Sequence, residues 1–203
     1  MFIRSATLWR IWQNIVPLAR ITPPDNTPSS ARNVTTGLDH SGADLVSFER
    51  FYWQHERHII GYLCRMIGDE QAAHDLSQET FLRAWRHFAT LRQHDEPRAW
   101  LFRVATNLAL TFLRRRAARP VLPLDEDLAG QSDPGRQVAI RDLVTQALAA
   151  LTPRQRAALI LHEIEGLSCE EIGALLGISR DAVKMALWRA REQFRKHYPQ
   201  EDD

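Results

Sequence analysis

The chain has 203 residues, 44% hydrophobic and 25% charged, values near the globular average that exclude wholesale disorder or a fibrous repeat. Lys and Arg number 26 against 25 Asp and Glu, a formal net charge of +1, so only the distribution of charge along the chain can point to a partner. Cys64 and Cys169 stand far apart with no CxxC pair, which argues against a disulfide scaffold or a cysteine zinc cluster.

Residues 1–40 read as an N-terminal extension. Leu8, Ile11, Trp12, Ile15 and Val16 share one helical face within 1–21, and the proline-rich stretch Thr22 to Ser30 (TPPDNTPSS) ends any helix. A dispensable leader is the preferred reading; a surface-seeking or partner-binding helix is the other. The apolar run Ile11 to Ala19 is interrupted by Gln13, Asn14 and Pro17. It falls well short of the ~20 apolar residues a membrane span requires, and no cleavage pattern follows it. The expected compartment is the cytoplasm, with no stable membrane insertion.

Residues 41–116 form a first helical domain. Phe48, Phe51, Tyr52, His55, Ile59, Leu63 and Ile67 recur at three- and four-residue steps and so share a face. Gly68-Asp69 stops that helix and caps the next, whose inward residues are Ala72, Ala73, Leu76, Thr80, Ala84 and Phe88. Asp69, Glu70, Asp75, Gln78 and Glu79 precede Phe81 along its other edge. Carboxylates and an amide in a row suit docking to a basic protein helix better than to DNA. After a polar loop, Arg92 to Glu96, Pro97 opens a third helix. Leu101, Val104, Leu108 and Phe112 point inward there, and Arg103, Thr106, Asn107, Leu110 and Arg114 lie opposite. Arg98, Arg103, Arg114, Arg115, Arg116 and Arg119 occur with no acid from Pro97 to Leu124, a footprint for a phosphate backbone. Trp100 and Phe102 lie within it, either stacking on unpaired bases or belonging to the core.

Residues 117–136, with Pro120, Pro123, Gly130, Pro134, Gly135 and the acidic cluster Asp125-Glu126-Asp127, read as a linker. A second helical domain follows at 137–197, with a short tail at 198–203. Thr152-Pro153-Arg154-Gln155 combines a capping box with a first-turn proline. Ser168 and Glu171 box a short helix, Gly177 ends it, and Ser179 caps a second helix running toward Lys196. That is a helix-turn-helix, with Gly173 allowing close approach and Ile172, Leu176, Ile178, Val183 and Leu187 forming its seam. Val183, Leu187, Ala190 and Phe194 point inward, leaving Arg180, Asp181, Lys184, Met185 and Trp188 outward, a face suited to a major groove. No alternating strand pattern occurs in either half, so the predicted fold is all-α: two small helical domains joined by a flexible acidic linker.

With those residues in view, HDLSQETFLRAW (74–85), PRAWLFRVATNLALTFLRRR (97–116) and LTPRQRAALILHEIEGLSCEEIGALLGISRDAVKMALWRAREQF (151–194) resemble a bacterial RNA polymerase sigma factor of the extracytoplasmic-function group, over roughly residues 45–197. The resemblance implies a two-domain initiation factor. Its first domain grips core polymerase and opens the downstream promoter box, and its second reads the upstream box. Asp75, Gln78, Glu79 and Phe81 match the segment that docks on the clamp helices of the polymerase's largest subunit. Arg103, Asn107, Arg114 and the adjacent Arg115 match the helix facing the downstream box. Arg92, Gln93 and His94 match the loop that receives a flipped base, which a pocket must hold. Arg180, Asp181, Lys184, Met185, Trp188 and Arg189 fall on the recognition helix for the upstream box. The resemblance also implies an acidic linker passing near the polymerase active-site channel, and a membrane-linked anti-sigma protein as inhibitor.

Ala182, Met185 and Ala186 stand where the family commonly has Thr, Ser and Arg, and Thr111 replaces a common Asp. The resemblance therefore implies fewer polar contacts to the upstream box, and it carries over no promoter sequence. No catalytic role is expected: His162-Glu163 begins like a zinc-protease motif, but Gly166 stands where the second His belongs, and no phosphate loop or nucleophile elbow occurs. Neither metal nor cofactor is expected. The alternative is a helix-turn-helix repressor or activator that works without core polymerase.

Overall fold

A computed structural model describes residues 42–94, 96–118 and 136–197. The amphipathic run within 1–21, most of the acidic linker, Arg119 and the 198–203 tail lie outside those residues. Among the described residues the secondary structure is helical throughout, with no strand. The first half comprises α1 (Gly42–Ile67), α2 (Glu70–Arg86), the single turn α3 (Phe88–Leu91) and α4 (Pro97–Ala118). The second comprises α5 (Arg136–Ala149), α6 (Pro153–Glu163), α7 (Cys169–Leu176) and α8 (Arg180–His197).

The helix boundaries follow the local chemistry. Gly68, at φ 72°, takes the left-handed conformation that ends α1, and the Asp69 carboxylate accepts from the Ala72 N–H at 3.0 Å to start α2. The helix expected to run on to Phe88 instead breaks at His87, whose N–H is shared among several carbonyls; Phe88 then begins a separate turn. That step turns the Phe88 ring onto Phe48 and Phe51, at centroid distances of 5.1 and 5.8 Å.

In the first half α1 packs across α2 and α4, burying Ile59, Tyr62, Leu63 and Met66 against Phe81, Leu101, Phe102 and Ala105. Thr106, expected on the outer side of α4, is fully buried instead. Its hydroxyl lies 2.7 Å from the Tyr62 hydroxyl and donates to the Phe102 carbonyl at 2.6 Å, which removes the cost of an unpaired polar group in the core. In the second half α8 packs along α5, α6 and α7 through Val183, Leu187, Ala190 and Phe194. Buried apolar residues from both halves join in one cluster, because α1 and α4 also pack against α6, and α4 against α7.

Candidate nucleic-acid interface

The helix-turn-helix is built from its caps outward. The Thr152 and Ser168 boxes both close reciprocally with Gln155 and Glu171. The Ser168 contacts hold the Glu171 carboxyl below the usual range. Gly177, at φ 68°, ends α7 in the left-handed region that a side chain disfavours. Ser179 accepts from the Ala182 N–H at 3.2 Å and starts α8. Gly173 sets the spacing of the two helices, since a Cβ there would sit 2.8 Å from the Ile178 carbonyl oxygen. The Val183 side exhausts the inward face of α8, so Arg180, Asp181, Lys184, Met185, Trp188 and Arg189 all lie exposed on the other. Two of its cations are already paired: Arg180 with Glu170 on α7 at 2.7 Å, and Lys184 with Asp181 at 3.3 Å.

A second basic surface runs along α4. Arg103, Asn107, Arg114 and Arg115 are exposed, and in the turn before it so are Arg92, Gln93 and His94. Arg92 reaches back to Asp44 on α1 at 2.5 Å, anchoring one side of that turn. Of the two rings, Phe102 is core, edge-on to Tyr62, while Trp100 is half-buried beside the His87 ring.

On α2 the acidic edge is real but differently composed. Asp75 and Gln78 are exposed, and Glu79 is half-exposed with an ion pair to Arg83 at 2.8 Å. Phe81 turns inward, 4% exposed, its ring edge-on to Tyr52 at 4.7 Å. The apolar residue this face offers to a partner is Leu82, 51% exposed. Its place was visible in the four- and three-residue steps Asp75, Glu79, Leu82, Arg86, which put Leu82 amid charge on one stripe.

The two halves are fastened to each other by bonds the sequence pattern did not show. Glu165, in the turn after α6, has a side chain 2% exposed; its Oε2 lies 2.9 Å from Arg98 Nη2 of α4 and 3.1 Å from His58 Nδ1 of α1. Arg98 also donates to the Glu165 backbone carbonyl at 2.8 Å, so an arginine counted toward a phosphate footprint is spent on an internal bond. Arg156 of α6 donates to the Met66 carbonyl at the end of α1 at 2.6 Å. Arg103 donates to the Ala174 carbonyl of α7 at 3.2 Å, placing the helix-turn-helix against the basic face of α4.

His162 Nδ1 lies 2.9 Å from the Leu167 carbonyl, and no group of three or more metal-ligating side chains gathers among the described residues. Among those residues no helix is long and apolar enough to cross a membrane.

The chain matches sigma-70 region 2 over residues 51–119 and sigma-70 region 4 over 141–194. It is 35% identical over 182 residues to the ECF RNA polymerase sigma factor SigE of Mycolicibacterium smegmatis, covering 84% of this chain and 69% of that protein. To the ECF sigma factor SigM of Bacillus subtilis it is 28% identical over 159 residues, covering 75% of this chain and 96% of that one. Among solved structures, the fold is shared with sigma factor RpoE in complex with the anti-sigma factor NepR from Bartonella quintana, at TM-score 0.61 and 21% identity, covering 77% of this chain and 99% of that chain. CnrH in complex with the cytosolic domain of CnrY aligns at TM-score 0.56 and 26% identity, covering 78% and 91%.

An all-helical pair of halves, the second a helix-turn-helix, with sigma-70 regions 2 and 4 in that order, defines a factor that works on RNA polymerase at promoters. The chain belongs to the extracytoplasmic-function group of RNA polymerase sigma factors. Its function is promoter-specific initiation with core RNA polymerase; the relatives just described are sigma factors, not repressors that act alone.

Proposed function

We propose that the labour is divided by surface. The α2 stripe of Asp75, Gln78, Glu79 and Leu82 holds core polymerase, with Phe81 beneath it as packing rather than contact. The turn at Arg92 to His94 and the α4 row of Arg103, Asn107, Arg114 and Arg115 engage the downstream box and assist its melting. The α8 face from Arg180 to Arg189 enters the major groove of the upstream box. The observation that carries this reading is the separation of charge: carboxylates exposed on α2, cations exposed on α4 and α8. Acidic surface is repelled by phosphates and basic surface attracted, so one domain can face protein and DNA on opposite sides.

The packing of α7 on α4 adds a requirement. While Arg103 is bonded to the Ala174 carbonyl, one cation of the downstream-box row is engaged by α7, so the halves must move apart before the whole row is free to meet DNA. An anti-sigma factor, the kind of protein found in complex with RpoE, is the expected partner. The factor works in the cytoplasm and leaves catalysis to the polymerase.

Reconstituted transcription tests the division. Asp75→Lys is expected to weaken core binding, measured by competition for core polymerase. Lys184→Ala is expected to spare core binding and to reduce initiation at promoters that depend on the upstream box. Equal damage by both substitutions at both steps overturns the assignment.

A further inference from the structure

The reading surface of α8 is unusual in what it lacks. Ala182, Met185, Ala186 and Arg189 stand at positions i, i+3, i+4 and i+7 and form one stripe. Until Arg189, no side chain on it can donate a hydrogen bond, and the Met185 thioether is only a weak acceptor. The polar groups flanking it in the first two turns, Arg180 and Lys184, are held by Glu170 and Asp181. What projects instead is apolar: Met185 is 49% exposed and the neighbouring Trp188 59% exposed, on a helix whose core face is complete without them. Large apolar side chains left in water on a charged helix cost solvation energy unless a partner covers them.

A thioether on the floor of a major groove has few uses. Against a guanine, adenine or cytosine edge it strips water from donors and acceptors and returns no hydrogen bond, which is unfavourable. Thymine alone presents an apolar group there, its C5 methyl. The small Ala182 and Ala186 on either side let the α8 backbone come close, and the unbranched Met side chain adapts its three torsions to the methyl's position. We infer that Met185 is a specificity-determining residue that selects a thymine in the upstream box by covering its C5 methyl group. This rests on the reading that α8 enters the major groove of that box, and it adds the base chemistry.

The experiment uses the full chain assembled with core polymerase. A promoter library randomised across the upstream box is selected by the holoenzyme, and the enriched duplex is remade with each thymine in turn replaced by deoxyuridine, which removes only the methyl. Wild-type holoenzyme is expected to lose roughly four- to tenfold in binding at one thymine, the worth of one well-covered methyl group. Met185→Ala is expected to bind thymine and deoxyuridine duplexes alike, and Met185→Leu to keep the distinction. If wild type is indifferent to every deoxyuridine, or if the sensitivity persists in Met185→Ala, the thymine contact is wrong. In that case, upstream enrichment that Lys184→Ala abolishes leaves the groove reading standing. Absence of any upstream enrichment overturns the groove reading and the contact with it.

Discussion

Glu165→Ala is the most informative single change, because that carboxylate bonds to side chains of both α1 and α4 across the junction between halves. It is buried at 2% exposure, while its partners His58 and Arg98 have side chains 57% and 41% exposed. Removing one member of a fully buried pair costs about 3–5 kcal/mol, chiefly because the other charge is stranded. Here Arg98 and His58 can turn to water, which lowers the penalty, yet the lost bonds are less screened than surface pairs worth about 0.2–1 kcal/mol. A value of about 1–3 kcal/mol follows, and the population of separated halves rises roughly five- to 150-fold. Spin labels at positions 86 and 196, in a chain whose Cys64 and Cys169 are replaced by Ser, report that population as a broadened, lengthened distance distribution. Arg98→Gln in the wild-type and Glu165→Ala backgrounds closes a double-mutant cycle, with coupling expected above about 0.5 kcal/mol. An unchanged distance distribution together with additive effects would refute the fastening role given to this carboxylate.

Gly173→Ala is expected to destabilise the second half by about 1–3 kcal/mol, since the added methyl meets backbone at Ile178 that cannot rotate away. Thermal unfolding should fall by several degrees, and upstream-box discrimination should weaken more than core binding. His55 is 8% exposed, and burial, followed by the nearby Arg98 and His58, lowers its pKa from the ordinary 6.5. Below that value the unfolded chain takes up the proton first, so this group's contribution to stability is complete above the ordinary value and is lost as pH falls toward the folded one. Denaturant unfolding at about pH 7.5 and pH 5.5 should therefore show a smaller acid loss in His55→Leu than in wild type. Tyr62→Phe leaves Thr106 without its side-chain partner in the core but with its bond to the Phe102 carbonyl. A loss of about 0.5–1.5 kcal/mol is expected by chemical denaturation, with core binding unchanged.

Much of the helix-turn-helix was legible because its determinants are local. A cap acts three residues along, a left-handed glycine acts at its own position, and the Val183, Leu187, Ala190, Phe194 row lies on one helix. The exposed α8 residues follow from the same periodicity. On α2 the pattern was less decisive: Phe81 borders the inward stripe, and only packing against Tyr52 takes it into the core, leaving Leu82 outside.

The sequence alone was enough for an all-helical chain in two halves, with carboxylates along α2, arginines along α4 and a DNA-reading turn near the C-terminus. Which polar groups meet was decided by tertiary structure. Arg98 and Glu165 stand 67 positions apart, His58 and Glu165 107, and Arg156 and Met66 90. Helical period says which way a side chain points, not what arrives in front of it. Burying Glu165 is tolerable because an arginine and a histidine from two other helices converge on it, and that convergence belongs to how α1, α4 and α6 pack rather than to any one segment's pattern.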